Sequence, residues 1–179
     1  KYGYDPVKFI NAMSMVKLPK EPIRLLVNSD DSMRMRLARS IVEMLTECGL
    51  NIVMVEKKNN EFIQDVKYGK YDLYLGQTRL PPNMDLSEFF RPWGNLSWGS
   101  VDNEALYDLN KEALDNHGNF YNLHKAVADD GRIIPIAFFG YAVYATRGLM
   151  TDLTPARDNV FAYSLGKTMQ SIQIPTEYN

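Results

Sequence analysis

What most constrains this chain is the way its hydrophobic period alternates between residues 22 and 76. Three short apolar runs, PIRLLVN (22–28), NIVMVEK (51–57) and YDLYLG (71–76), have the composition of half-buried or buried strands and end at turn residues. Between the first two, Met33, Leu37, Ile41, Met44, Leu45 and Cys48 recur at three- and four-residue steps, which predicts one helix. Ser29 or Asp30 is placed to cap its start and Gly49 to stop it. A shorter helix is expected from Asn60 or Glu61 through Phe62, Ile63 and Val66 to Gly69. The order is therefore βαβαβ. Such crossovers are right-handed and most simply join parallel strands. Ligands of open parallel sheets sit beyond the carboxyl ends of the strands. The loop that follows Gly76, reading QTRLPP, lies at that address.

Past this loop the character changes. MDLSEFF (84–90) predicts a short helix, PWGNLSWGSVDN (92–103) a polar and aromatic loop, and 104–115 and 120–130 two further helices. RIIPIAFFGYAVYATRG (132–148) is β-branched and aromatic, which predicts two strands kinked near Pro135 and Gly140. Residues 159–179 alternate weakly, as a return segment that pairs with something else would. The fold class expected is α/β, with residues 1–179 forming a single lobe.

Composition narrows the function. With 179 residues, 45% of them apolar, the chain can bury a core of its own, and a formal net charge of −2 supplies no field to attract phosphate backbones. Nucleic acid is not an expected partner. Cys48 is the only cysteine, so no internal disulfide forms, and its place in the helical pattern predicts a small buried hydrophobe. No run of about twenty apolar residues and no charged-then-apolar start occurs, so neither a membrane span nor a signal peptide is read. The first residue is Lys rather than Met, as in a piece whose targeting segment lies elsewhere.

Catalytic readings fail on chemistry. RLLVNSDDSMRMRLARSIVEML and YDLYLGQTRLPP look like the acidic pair and phospho-acceptor strand of a response-regulator receiver, in which Asp30 and Asp31 would hold magnesium. The acceptor position falls on Gln77, however, and an amide neither attacks phosphorus nor supplies the charge a hard cation needs. The alternative function is thus a receiver-like signalling module with a disabled acceptor. His117 and His124 lack a carboxylate at metal-ligand spacing. No G-x-S-x-G elbow and no glycine-rich loop opening a helix occurs, so no catalytic residue, metal or cofactor is expected. What remains is recognition: Gln77, Thr78, Arg79 and Leu80 after the third strand, with Asn95 and Trp98 in the aromatic loop, are the expected ligand-binding residues. Trp93 and Trp98 could equally fill the domain's own core.

The order of motifs resembles the extracytoplasmic solute-binding proteins of family 5, the oligopeptide, dipeptide and nickel binders of ABC importers. YGYDPVKFINAM resembles the family's Tyr-x-Asp-Pro helix, and residues 23–76 are similar to its strand, long helix, Gly, strand, helix and G-x-YDL series. DNEALYDLNKEA resembles its Asn/Asp-x-x-Asp helix, and HKAVADDGRIIPIAFFGYAVYATRG its last helix and Pro-containing cleft strand. The resemblance implies one lobe of a type II, periplasmic-binding-protein-like clamp, closing over a small or peptide-like solute held by a partner lobe missing from this chain. It implies a membrane permease as partner, no chemistry, and an extracytoplasmic, lipid-anchored location. Peptide binders of the family carry Trp-x-x-Asp after the YDL strand; here those positions are Gln77 and Leu80. A peptide's amino terminus would lose its ion pair, and Arg79 would favour an anionic ligand instead.

Overall fold

The computed structural model describes residues 3–81, 83–99, 101–116 and 120–139. The chain divides into two compact units, Lys1–Arg79 with Glu88–Asp102, and Leu80–Ser87 with Asn103–Asn179.

The first unit runs α1 (Pro6–Ser14), β1 (Ile23–Asn28), α2 (Ser32–Glu47), β2 (Ile52–Lys57), α3 (Asn59–Lys67) and β3 (Leu73–Tyr74). The strands form a parallel sheet in the order β2-β1-β3, with Ile23 opposite Ile52, Asn28 opposite Lys57 and Leu25 opposite Leu73. The predicted βαβαβ start is present. β1 is central and buried on both faces, which is why it reads as a continuous apolar run. Leu25 and Val27 point to one face, where they meet Met35 and Ala38 of α2 together with Leu50, Ile52 and Leu75. Leu26 points to the other, against Phe62 and Val66 of α3. Leu26, Val27 and Val66 are almost fully buried, each worth about 1.5–3 kcal/mol relative to exposure.

Two local details differ from the sequence reading. The cap of α2 is Asp31, not Ser29 or Asp30: its Oδ1 accepts the Met33 and Arg34 N–H groups at 3.0 and 2.9 Å. The buried face of α2 is then set by Met35 and Ala38, with Leu37, Ile41, Val42 and Leu45 beside them, while Met33 and Met44 are exposed. Cys48 is half-buried at the C-cap. Gly49, at φ +89°, ends α2 in a Schellman turn, with its N–H on Thr46 O and the Leu50 N–H on Leu45 O. The second difference is the brevity of β3. The Asp72 carboxylate takes the Arg24 N–H at 2.8 Å, so a side chain fills the place of a ladder bond at the strand's start. Pairing resumes with Leu75 N–H on Leu26 O at 3.0 Å.

In the second unit, α5 (Glu104–Asp115) and α6 (Tyr121–Asp130) bury Leu106, Asn110, Ala113 and Leu123. Asn103 caps α5 by accepting the Leu106 N–H at 3.3 Å, and Gly131 follows α6. The helix α4 (Ser87–Phe90), all but its first residue in the first unit, is shorter than the 84–90 expected. Met84 has φ +59°, and the Asp85 carboxylate accepts the Ser87 N–H at 2.8 Å, so the helix opens only there. Residues 132–139, expected as strand, carry no strand pairing among the described residues, and Ile134, Ile136, Phe138 and Phe139 are exposed. Residues 140–148 and 159–179, the remainder of the expected strands and the return segment, lie outside the described residues.

Candidate functional site

Because the three strands are parallel, Asn28, Lys57 and Tyr74 end at one edge of the sheet. The first two loops on that edge are tied together by side chains. Asn28, 3% exposed, donates to Asn59 Oδ1 at 2.9 Å and accepts the Asp30 N–H at 2.9 Å. The Asp30 carboxylate accepts the Asn59 N–H at 2.9 Å, and the Ser29 N–H bonds Lys57 O at 2.8 Å. Lys58, at the N-cap of α3, makes no side-chain cap bond, so Asp30 supplies the acceptor from another loop.

The neighbouring carboxylate is equally committed. Asp31 caps α2 and pairs with Arg34 Nε at 2.9 Å. The Arg34 N–H above all holds its carboxyl below the usual range; burial opposes this, and the Arg34 guanidinium and the Met33 N–H add to it. Both members of the acidic pair therefore brace the edge.

The third loop on this edge displays polar side chains. Gln77, Thr78 and Arg79 follow β3 directly and are exposed; Leu80 is half-buried and belongs to the second unit. An amide, a hydroxyl and a guanidinium in succession can satisfy carbonyl, hydroxyl and anionic groups of a ligand.

Asn95 and Trp98 lie in a loop folded on itself after α4. Glu88 organises it: its carboxylate pairs with Arg91 at 2.7 Å and accepts the Asn95 N–H at 2.9 Å, and its carbonyl accepts the Leu96 N–H at 3.1 Å. Asn95 itself is exposed. Trp98 is half-buried and packs on the Leu26, Phe62 and Val66 cluster with Tyr71 and Tyr74, so its apolar body serves the core on the α3 face. The two tyrosine rings meet edge to face at 4.9 Å, and burial raises both phenols. Gly99, at φ +80°, has no room for a side chain, since a Cβ there would overlap the Tyr71 hydroxyl. Trp93, by contrast, is 95% exposed at φ +61°.

Gln77, Thr78 and Arg79 thus form one exposed group, whereas Trp98 is turned to the α3 face. An open groove of about 550 Å³ elsewhere in this unit is lined by Ser29, Ser32, Met35, Arg36, Arg39 and Glu56, and by none of the six residues expected from sequence. Sequence reasoning did not single out these residues, because the apolar period of α2 says nothing of what its polar positions line. Among the described residues no group of three or more His, Cys, Asp or Glu could hold a metal ion. His124 is exposed and stacks on Phe120 at 5.9 Å; His117 lies outside the described residues.

No protein-family model matches this chain, and no curated protein matches it.

Proposed function

We propose that this chain is one lobe of a family-5 extracytoplasmic solute-binding protein, which captures a small solute between two lobes and passes it to an ABC permease without chemistry. The observation that carries the reading is the exposed run Gln77–Thr78–Arg79 at the carboxyl end of a parallel sheet, following a βαβαβ unit in the family's motif order. The braced Asn28–Asp30–Asn59 edge beside it suits a clamp face, which gains affinity from groups held in place before ligand arrives. Lipid anchoring outside the cell membrane belongs to the same proposal; among the described residues no helix is long and apolar enough to cross a membrane.

A clamp divides its contacts between two faces. A longer chain that includes the partner lobe should therefore bind solute at least tenfold more tightly than this lobe alone, about 1.4 kcal/mol. Mass spectrometry of whatever co-purifies with the longer chain identifies the solute, and calorimetry with it compares the two proteins. Equal affinity would make the lobe a self-sufficient module and end the clamp reading.

The strand order β2-β1-β3 is also how a receiver-like fold begins, which keeps the signalling alternative in play. Its carboxylates are the difficulty, since Asp30 and Asp31 are engaged as helix caps and Gln77 stands at the acceptor position. Incubation with acetyl phosphate and magnesium should leave the intact mass unchanged. A phosphorylated product would favour the alternative.

A further inference from the structure

The charges on α2 are segregated along its length. Arg34, Arg36 and Arg39 fall in the N-terminal half and Glu43 and Glu47 toward the C-terminus, with no acid in the first turn and no base in the last. Cations in the first turn of a helix meet its dipole unfavourably, an effect confined to that turn, which here holds only Arg34 of the three. Arg34 is accounted for by its pair with Asp31. Arg36 and Arg39 lie beyond that turn and have no such pair among the described residues. Arg36 reaches only the Met33 sulfur, at 3.8 Å, a weak acceptor, and among the described residues neither arginine has a carboxylate partner. Elsewhere in the same unit Arg24, Lys57 and Lys70 are paired with Asp72, Glu61 and Asp65.

These two arginines, three residues apart on one helix face, line the open groove together with Ser29, Ser32 and Glu56. The first-turn N–H groups of Met33 and Arg34 are already taken by Asp31, so the groove's donors toward an anion are side chains. Two guanidinium groups without a carboxylate partner among the described residues, on one side of a groove, make a cationic surface that an anion can fill. We propose that this groove binds a phosphoryl group, carried by a small molecule or by a lipid headgroup. Two guanidinium forks and two hydroxyls offer donors from several directions, which suits a tetrahedral oxyanion better than a planar carboxylate. Glu56 opposes excess negative charge in the groove and can accept from a hydroxyl or ammonium group of the same ligand. The inference stands apart from the clamp reading, because none of the residues after β3 takes part.

The test titrates the 179-residue chain with inorganic phosphate at constant ionic strength and follows the amide signals of Ser29 and Ser32 and the Nε signals of Arg36 and Arg39 by NMR. Saturable shifts are expected, with affinity falling at least tenfold in the double variant Arg36→Gln, Arg39→Gln and rising severalfold in Glu56→Gln. The double variant should melt close to the parent, since neither arginine has a carboxylate partner among the described residues. A parallel titration with phosphatidylcholine vesicles, with and without phosphatidylglycerol, separates the sources: saturation by the anionic vesicles alone assigns the site to a headgroup. Shifts that chloride reproduces at equal ionic strength, that persist in the double variant, or that neither phosphate nor vesicles produce would overturn the proposal. If the double variant folds poorly, Glu56→Gln decides, and unchanged or weaker phosphate affinity there would overturn it equally.

Discussion

The fully buried amide of Asn110 donates to the Asp85 carboxylate at 2.8 Å, which fastens the 85–87 segment to the middle of α5. The same side chain donates to Ser87 Oγ at 3.0 Å and accepts the Leu86 N–H at 3.1 Å. Among the described residues no buried side-chain polar atom lacks a partner, and this network is the clearest reason in the second unit. Asn110→Ala would leave the Leu86 N–H unmet and Asp85 short of a donor, so a loss of about 2–3 kcal/mol is expected in urea unfolding. Asn110→Leu should do no better, because it restores volume but not the bonds. A loss below about 0.5 kcal/mol would mean that water replaces the amide freely.

The network carries a pH signature. Burial alone would raise the Asp85 carboxyl, but the Ser87 hydroxyl, the Ser87 N–H and the Asn110 amide together hold it below its ordinary value. A depressed folded-state pKa contributes stability that is present above the unfolded value, about 3.9, and is lost as pH falls through the folded one. Asp31 and Asp72 are lowered as well, Asp31 first by the Arg34 N–H and Asp72 first by the Arg24 side chain. Stability should thus fall steeply below pH 4, and Asn110→Ala should have a shallower acid limb than the parent. Parallel acid limbs in the two proteins would show that Asp85 is not the group being read.

How much of this was legible beforehand varies with how local the cause is. β1 and β2 matched their apolar runs within a residue: β1 because it is buried on both faces, and β2, at the sheet's edge, because its short β-branched run is bounded by turn residues. The face of α2 was harder: methionines at 33, 35 and 44 fit two overlapping stripes, and only packing against Leu25 and Val27 selects Met35 and Ala38. The Asn28–Asn59 bond joins residues 31 apart, and the Asn110–Asp85 bond residues 25 apart; neither leaves a periodic trace. Residues 132–139 have strand composition, yet a strand exists only when its ladder is filled, and in the described residues it is not. At the candidate site, the exposure of Gln77–Thr78–Arg79 followed from the parallel-sheet rule, whereas the turn of Trp98 into the α3 face depends on where Tyr71 and Tyr74 stand.

Gly99 and Tyr71 form a second coupled pair. The glycine sits at φ +80°, and a Cβ added there would overlap the Tyr71 hydroxyl and come within 3.3 Å of Cζ. Gly99→Ala combines backbone strain with that overlap, for an expected loss of about 2–3 kcal/mol. Tyr71→Phe in the same background removes the hydroxyl and should recover part of it. The double-mutant cycle should give a coupling of about 0.5–1.5 kcal/mol. Strict additivity would assign the whole effect of Gly99→Ala to backbone conformation.

Asp30 is expected to behave as a structural acceptor. Removing its carboxylate by Asp30→Ala takes the partner from the Asn59 N–H, and a loss of about 1 kcal/mol is expected, as for a missing helix cap. Asp30→Asn keeps a side-chain oxygen and should cost about half as much. If Asn and Ala are equally damaging, charge rather than the hydrogen bond is what α3 needs, which is the dipole contribution acting alone.

Arg79 tests the proposed ligand face most directly. It is exposed, in a loop held by the end of β3 on one side and by Pro81 on the other, which lowers the backbone ordering cost of a contact made there. If the solute carries a carboxylate or phosphate, a charge-assisted fork to it is worth roughly 1.5–3 kcal/mol. In a chain that includes the partner lobe, Arg79→Ala should weaken solute binding about tenfold or more while the melting temperature stays nearly constant. Arg79→Lys should fall between, because an ammonium keeps the charge but not the bidentate geometry. Lower stability with unchanged affinity would make Arg79 a structural residue of its loop. No change in either would make Arg79 an ordinary surface residue and remove it from the proposed ligand face.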